Sequence, residues 1–234
     1  MPRRPRVAMG GLVYHVINRG VGRMDVFDDD DDYAAFERVM AEAGERVPGA
    51  RLLGYCLMPN HWHLVLWPRG DSDLSEYMRW LTVTHTQRWH AHRHTAGTGP
   101  VYQGRFRSFP IERDAHAVTV LRYVERNALR AGLVTAAEDW QWGSLWLWVN
   151  RRRAAAKAAD VPVIADWPVD RPRRWAALVN DPLSEAELEA VRRSVRRGAP
   201  YGKAAWVKRT AARLDLGATL RPIGRPRKVN DGEG

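Results

Sequence analysis

Residues 57–66 read Leu-Met-Pro-Asn-His-Trp-His-Leu-Val-Leu, and this stretch decides the fold prediction. Its Met-Pro-Asn turn signal leads into an apolar run that is typical of a β-strand. Because alternate residues of a strand point to the same face, His61 and His63 project together and Trp62 projects into a core. Two imidazoles side by side on a sheet are typical of a metal site or a proton-transfer pair. Taken alone, the motif is equally compatible with a hydrogen-bonded structural pair or with part of a zinc site.

The segments around this stretch predict a mixed α+β fold. Apolar and turn patterns predict strands at 12–18, 51–57, 61–67 and 105–112, and helices at about 33–46, 74–92 and 114–132. The acids at 28–32 stand where a helix begins, so we interpret them as capping groups. The order is strand, helix, strand, strand, helix, strand, helix. It predicts a ferredoxin-like split βαβ core with an antiparallel sheet and helices on one face.

Histidines also cluster near the end of the second predicted helix, namely His85, His90, His92 and His94. Their scattered spacing predicts a polar, exposed face rather than a metal site. Cys56 is the only cysteine, which excludes a disulfide framework and a thiolate zinc cluster. We expect it to be a small core residue.

Composition indicates a soluble protein with a polyanionic partner. The chain has 234 residues, a formal net charge of +10 and 11 tryptophans. Such a charge favours nucleic acid, and aromatic and guanidinium planes both stack on exposed bases. The sequence has no apolar run long enough to cross a bilayer and no signal peptide. We therefore expect a cytoplasmic, nucleoid-associated protein without a membrane partner.

The composition changes after residue 150, where an Arg- and Ala-rich segment and then several prolines follow. We therefore predict one domain over 1–150 and a linker with a basic helical C-terminal extension over 151–234. Ser184 and Glu187 have capping-box spacing, so a helix should begin there. Together with the amphipathic stretch 201–214 it could form a helix-turn-helix-like unit. The end, 224–228, reads Gly-Arg-Pro-Arg-Lys and is either a minor-groove hook or a solvated basic tail.

The third predicted helix carries two polar residues of interest. Tyr123 and Asn127 are four residues apart and therefore share a helix face. If this helix packs beside the strand of His61 and His63, a phenol and an amide oxygen face the two imidazoles. Such a donor set leaves positions open on a divalent ion. A structural tyrosine on a helix is far commoner than a nucleophilic one, so spacing alone does not assign a role to Tyr123.

Three blocks together resemble the REP-associated tyrosine transposases of the single-tyrosine HUH transposase superfamily. They are 58–66 (Met-Pro-Asn-His-Trp-His-Leu-Val-Leu), 104–108 (Gly-Arg-Phe-Arg-Ser) and 123–134 (Tyr-Val-Glu-Arg-Asn-Ala-Leu-Arg-Ala-Gly-Leu-Val). The resemblance covers roughly residues 7–150 and implies the HUH nuclease core. One departure is Ala128-Leu129 where the family usually has Pro-Val, and a helix tolerates alanine better than proline.

The resemblance implies a metal-dependent single-stranded DNA endonuclease and strand transferase that acts on hairpin-forming repeat DNA. His61, His63 and Asn127 would match the metal ligands, and Tyr123 would match the nucleophile that forms a 5′-phosphotyrosine intermediate. The family uses Mg²⁺ or Mn²⁺, and imidazole ligands favour good activity with Mn²⁺. Because ordinary histidines protonate near pH 6.5, we expect metal binding to fail below about pH 6.

Basic residues near these blocks and at the C-terminus are candidates for DNA contacts: Arg105, Arg107, Arg122, Arg126, Arg130, Arg225, Arg227 and Lys228. The expected partner is single-stranded or hairpin DNA, and the protein could be a monomer or a homodimer. Two other functions stay open. A domesticated transposase would hold palindromic repeats without cutting them, and a metal-dependent phosphodiesterase would use water instead of Tyr123.

Overall fold

The computed structural model describes residues 8–150 and 160–221. The elements in these ranges are β1 Val13–Arg19, α1 Asp30–Arg46, β2 Ala50–Met58, β3 His61–Pro68, α2 Asp73–Arg93, β4 Arg107–Ile111, α3 Ala115–Glu125, α4 Asn127–Arg130, α5 Ser144–Val149, α6 Trp175–Asn180, α7 Glu185–Arg197, α8 Ala204–Arg213 and α9 Gly217–Leu220. Short 3-10 turns lie at Val21–Arg23 and Ala137–Asp139. The predicted order of strands and helices through α3 is confirmed.

The four strands form one antiparallel sheet in the order β2-β3-β1-β4. The β2–β3 pair is the predicted hairpin, closed by the turn at Pro59 and Asn60. In the register of β1 with β3, Ile17 lies opposite His63 and Arg19 lies opposite His61. The split βαβ connection therefore brings the first strand of the chain directly beside the histidine strand.

The sheet carries helices on both faces, whereas the sequence predicted them on one. Trp62, Leu64 and Leu66 pack with α1 and α2 in one apolar core. On the other face Val65 and Phe109 pack under α3 in a second core. The prediction of a single helical face is therefore wrong. The physical reason is that apolar residues project from both faces of the sheet, so each face needs its own helical cover.

Acidic capping of α1 is confirmed. The Asp29 side chain caps the helix by accepting a hydrogen bond from the backbone N–H of Asp32 at 3.0 Å. Asp32 also forms an ion pair with Arg93 at the end of α2, which helps to hold the two helices side by side.

One of the α2 histidines departs from the predicted polar face. His85 is 4% exposed, and its Nδ1 lies 2.8 Å from the hydroxyl of Tyr102. His92 and His94 are exposed, as predicted. His85 points inward because it continues the apolar stripe of Leu81 on the buried side of α2.

The C-terminal helices pack against the second core. Trp175 and Val179 of α6 and Val191 of α7 belong to the same buried cluster as the apolar residues of α3. The predicted capping box at Ser184 and Glu187 begins α7. Between α7 and α8, Tyr201 pairs with Ile111 at the edge of β4. The division of the chain into domains at 150/151 stays a prediction, and so does the helix-turn-helix-like unit. The predicted minor-groove hook or basic tail at 224–228 lies outside the described residues.

Across the described parts of the chain, none of the helices is both long and apolar enough to cross a membrane.

Candidate active site

The histidine pair lies on the α3 face of β3, and each ring is held through its Nδ1 atom. His63 is 2% exposed and His61 is partly exposed. The Nδ1 of His61 lies 2.7 Å from Oδ1 of Asn60, and the Nδ1 of His63 lies 2.8 Å from Nε2 of His15. An amide oxygen can only accept, so Nδ1 of His61 carries the proton. This leaves Nε2 as the lone-pair nitrogen of His61, in the form that binds a metal.

His15 belongs to the site, although the sequence analysis did not single it out. It is fully buried on β1, its ring centroid lies 5.0 Å from that of His63, and its Nδ1 has no partner among the described residues. The signal in the sequence was a histidine in the otherwise apolar strand Val-Tyr-His-Val-Ile. The pairing of β1 with β3 brings that histidine beside His63. Periodicity within one strand does not reveal which strands are neighbours.

Tyr123 faces this cluster from α3. Its ring centroid lies 5.9 Å from that of His63 and 6.4 Å from that of His15, both in edge-on geometry. The helix begins at Asp114, whose side chain caps the N–H of His116. Its apolar stripe, which includes Val120 and Val124, packs on the sheet. The sheet and the helix therefore bring the predicted phenol and the predicted imidazoles together in one chain.

Asn127 stands where the predicted third helix breaks into α3 and α4. Its amide Nδ2 donates to the backbone carbonyls of Tyr123 and Val124, each at 3.1 Å. Its Oδ1 accepts from Nη2 of Arg130 at 2.5 Å. Asn127 is therefore fully buried and oriented by one turn of helix, and its oxygen is shared with a guanidinium.

The α4 segment lies against β2, the strand that pairs with the histidine strand. The backbone of Ala128 lies near the Cys56 thiol, which is opposite His63 in the β2–β3 register. Cys56 is 1% exposed, as expected for a core residue, and burial raises its pKa to about 12. The Arg130 guanidinium lies 5.0 Å from the centroid of the Tyr123 ring. The nitrogen of His61, the histidine at 63 and the oxygen of Asn127 are a donor set that fits a divalent ion.

Burial keeps the histidines neutral. Desolvation, then the positive charges of Arg19 and Arg130, lower the pKa of His61 to about 4. The pKa of His63 also lies well below its usual value, through burial and its positive neighbours, and burial lowers that of His15 to about 3. The expectation that metal binding fails below about pH 6 used the pKa of an exposed histidine. That limit stays a prediction, and the lowered pKa values favour the neutral form of these rings below pH 6.

The candidate DNA-binding arginines fall into separate groups. Arg105 and Arg107 are exposed at the start of β4, and Arg130 reaches the site. Arg122 and Arg126 instead donate to backbone carbonyls around the end of α6, including those of Leu178 at 2.6 Å and Val179 at 3.0 Å. These two guanidinium groups anchor the C-terminal region to α3. The remaining candidates, Arg225, Arg227 and Lys228, lie outside the described residues.

A second group that could hold a metal ion lies near the start of α3 and consists of Glu112, Asp114 and His116. Sequence reasoning did not single it out. Its carboxylates already have partners: Asp114 accepts from the backbone N–H of His116, and Glu112 accepts from that of Lys203. His116 is seven residues from Tyr123, which is about 10 Å along a helix, so this group is separate from the histidine pair.

The fold and the facing His and Tyr side chains define a ferredoxin-like α+β protein with a candidate nuclease site. The family model of IS200-like transposases matches residues 8–127, slightly more than half of the chain. The chain therefore belongs to the IS200-like transposase family, whose members are DNA-cleaving enzymes of the transposase type. The resemblance drawn from the sequence motifs is confirmed.

Comparison of structures gives the same fold. A REP-associated tyrosine transposase solved with a REP hairpin is similar over 71% of this chain and 94% of its own, with 19% identity and a TM-score of 0.50. A Deinococcus radiodurans R1 protein with a proposed transposase assignment is similar over 53% of this chain and 96% of its own, with 17% identity and a TM-score of 0.37. A search of curated proteins finds no match.

Proposed function

We propose that the chain is a metal-dependent single-stranded DNA endonuclease and strand transferase that works through a 5′-phosphotyrosine intermediate. The observation that carries this proposal is the position of Tyr123, whose ring lies 5.9 Å from that of His63. A tyrosine that faces two neutral imidazoles on a rigid sheet is a suitable nucleophile beside a metal site.

In this proposal His61, His63 and Asn127 hold Mg²⁺ or Mn²⁺. The ion would supply Lewis-acid polarisation of the scissile phosphate. His15 and Asn60 orient the two imidazoles through their Nδ1 atoms, at 2.8 and 2.7 Å. Such outer partners fix the tautomer and the ring direction of a ligand.

The chemical step exchanges one phosphodiester for another. The Tyr123 hydroxyl oxygen forms a bond to phosphorus, and the bond between phosphorus and the 3′ oxygen breaks. The hydroxyl proton ends on the 3′ oxygen, so the products are a 5′-phosphotyrosine and a free 3′-OH. Attack by a second 3′-OH reverses the exchange and joins strands. Because Tyr123 and His63 face each other within one chain, we infer that the tyrosine acts in cis, in a monomer or a homodimer.

Charge and the structural comparison support hairpin DNA as the substrate. The chain carries a net charge of +10, which favours a polyanion. Arg105 and Arg107 are exposed beside the strand that pairs with β1. A protein of the same fold was solved with a REP hairpin, and we extend that ligand to this chain as part of the proposal.

The test mixes purified protein, Mn²⁺ and end-labelled single-stranded hairpins from the repeats near its own gene, and separates the products on denaturing gels. Wild type and Tyr123→Phe are compared with Tyr201→Phe, a tyrosine that packs against His116 instead. We expect a protein-linked band and cleavage for wild type and Tyr201→Phe, with neither for Tyr123→Phe.

Two other results would each refute the proposal. Cleavage by Tyr123→Phe without an adduct indicates a phosphodiesterase that uses water. Hairpin binding without cleavage by any variant, across several hairpins and both metals, indicates a domesticated binding protein.

A further inference from the structure

A cavity of about 590 Å³ lies between α2 and the segment 100–106. We call it the α2 cavity. It opens on the face of the sheet that carries α1 and α2. Of its lining residues, the proposed function involves only Arg105, as a DNA contact. Its volume lies in the range of small-ligand sites. Val83, at its wall, is 50% exposed, so its apolar side chain is accessible to a ligand.

The walls of the α2 cavity suit a nucleobase. Val83 and Phe106 supply apolar and aromatic surface, and Thr86 and Gln87 supply groups that can hydrogen-bond to base edges. Stacking on such a surface accepts any base, since every base has a π-face.

The charges around the α2 cavity favour an anionic ligand. Arg79 and Arg105 line it, both are exposed, and no carboxylate belongs to its lining residues. A base that enters the cavity would therefore bring its phosphates against guanidinium groups.

The α2 cavity and the histidine pair share one end of the sheet. Asn18 lines the cavity, and the next residue, Arg19, lies opposite His61 in the β1–β3 register. The segment that carries Arg105 continues into β4, where Arg107 lies opposite Ile17 on the histidine face. Exposed arginines thus follow one another around the sheet end from the cavity to the candidate active site.

We propose that the α2 cavity binds an unpaired base of single-stranded DNA, in the strand that flanks the nucleotide cleaved at the Tyr123 site. This inference rests on the proposed function, since it takes single-stranded DNA as the substrate. It adds a recognition site on the opposite face of the sheet. The strand would pass around the sheet end along Arg105 and Arg107.

The test measures DNA binding without cleavage, so that failure of the α2 cavity proposal and failure of the nuclease proposal can be told apart. Full-length Tyr123→Phe protein with EDTA is titrated against fluorescent hairpins with and without a single-stranded flank. Val83→Glu places a carboxylate at the cavity wall, and Val83→Gln is its neutral match. Val149→Glu makes the same change at a residue that is 46% exposed on α5, away from the cavity.

We expect Val83→Glu to weaken binding of the flanked hairpin by about five- to a hundredfold, the range for loss of one stacked base. Binding of the hairpin without a flank should not change, and Val149→Glu should have no effect on either DNA. A 2-aminopurine placed along the flank should change its fluorescence at one position, and Val83→Glu should abolish that change while Val83→Gln retains it.

Equal affinities of Val83→Glu and Val149→Glu for the flanked hairpin would overturn the proposal. So would an equal loss for the hairpin without a flank, which would indicate a general charge effect. Far-UV circular dichroism establishes that each variant is folded.

Discussion

Buried histidines should make the stability of this protein fall steeply in mild acid. His15, His63 and His85 are at most 4% exposed, and His61 is partly buried. Burial is the first cause of a lowered pKa in all four, to about 3 for His15 and His85 and about 4 for His61. The unfolded chain protonates these rings near pH 6.5, whereas the folded chain does not. The stabilisation that the neutral histidines contribute is therefore fully present above pH 6.5. It is lost as the pH falls toward the folded-state pKa values.

The size of the effect follows from linkage. Each such histidine lowers the free energy of unfolding by about 1 kcal/mol between pH 7.5 and pH 5.5. One buried carboxyl acts in the opposite direction, because burial raises the pKa of Glu125. We expect a net loss of about 3–5 kcal/mol, a large share of the stability of an ordinary domain.

Urea denaturation at pH 7.5, 6.5 and 5.5, without metal, measures this loss. His85→Gln should reduce the loss between pH 7.5 and 5.5 by about 1 kcal/mol, since it removes one of the four groups. His92→Gln is the matched control, because His92 lies on the same helix and is exposed. A free energy of unfolding that stays constant from pH 7.5 to 5.5 would refute the reasoning. An equal change of the free energy of unfolding with pH in His85→Gln and His92→Gln would refute it too.

Three further predictions concern single side chains. Arg130→Met should tighten Mn²⁺ binding about tenfold in calorimetric titration without DNA, since it frees Oδ1 of Asn127 and removes a positive charge. Arg105→Met is the control, and a Mn²⁺ affinity of Arg130→Met that does not exceed that of Arg105→Met would contradict this. His15→Leu should weaken Mn²⁺ binding by about 10- to 100-fold, because His63 loses the partner of its Nδ1 atom; an affinity equal to that of wild type would assign His15 to packing alone. Glu125→Ala should cost about 1–3 kcal/mol in thermal or urea unfolding, since it leaves the buried Trp175 indole N–H without its acceptor and leaves the Ser144 hydroxyl only the Tyr55 carbonyl. The same change at the exposed Glu189 should cost less than about 0.5 kcal/mol.

Local patterns were sufficient for the strands, the helices and the histidine pair. The alternation of His61, Trp62 and His63 correctly placed Trp62 in a core on the far side of the strand, where it is fully buried. Strand neighbours were harder, because pairing is a long-range property. His15 reaches His63 across 48 residues of sequence, and no period within β1 or β3 encodes that contact. For the same reason the sequence predicted helices on one face of the sheet, whereas they cover both faces.

The arginines in and next to α3 show why the charge of a side chain predicts its function less well than its spacing along a helix does. Arg122, Glu125 and Arg126 recur at three- and four-residue intervals, so they share one helix face. On that face the guanidiniums hold carbonyls near the end of α6, and the carboxylate accepts from the Trp175 indole. Tyr123 and Asn127 have the same interval but are offset by one residue, and this offset turns Tyr123 toward His63. One face of the helix thus binds the C-terminal region and the other carries the candidate nucleophile. The C-terminal region therefore packs against the face of α3 next to the one that carries Tyr123. Arg122 and Arg126, which the sequence suggests as DNA contacts, donate to its backbone carbonyls.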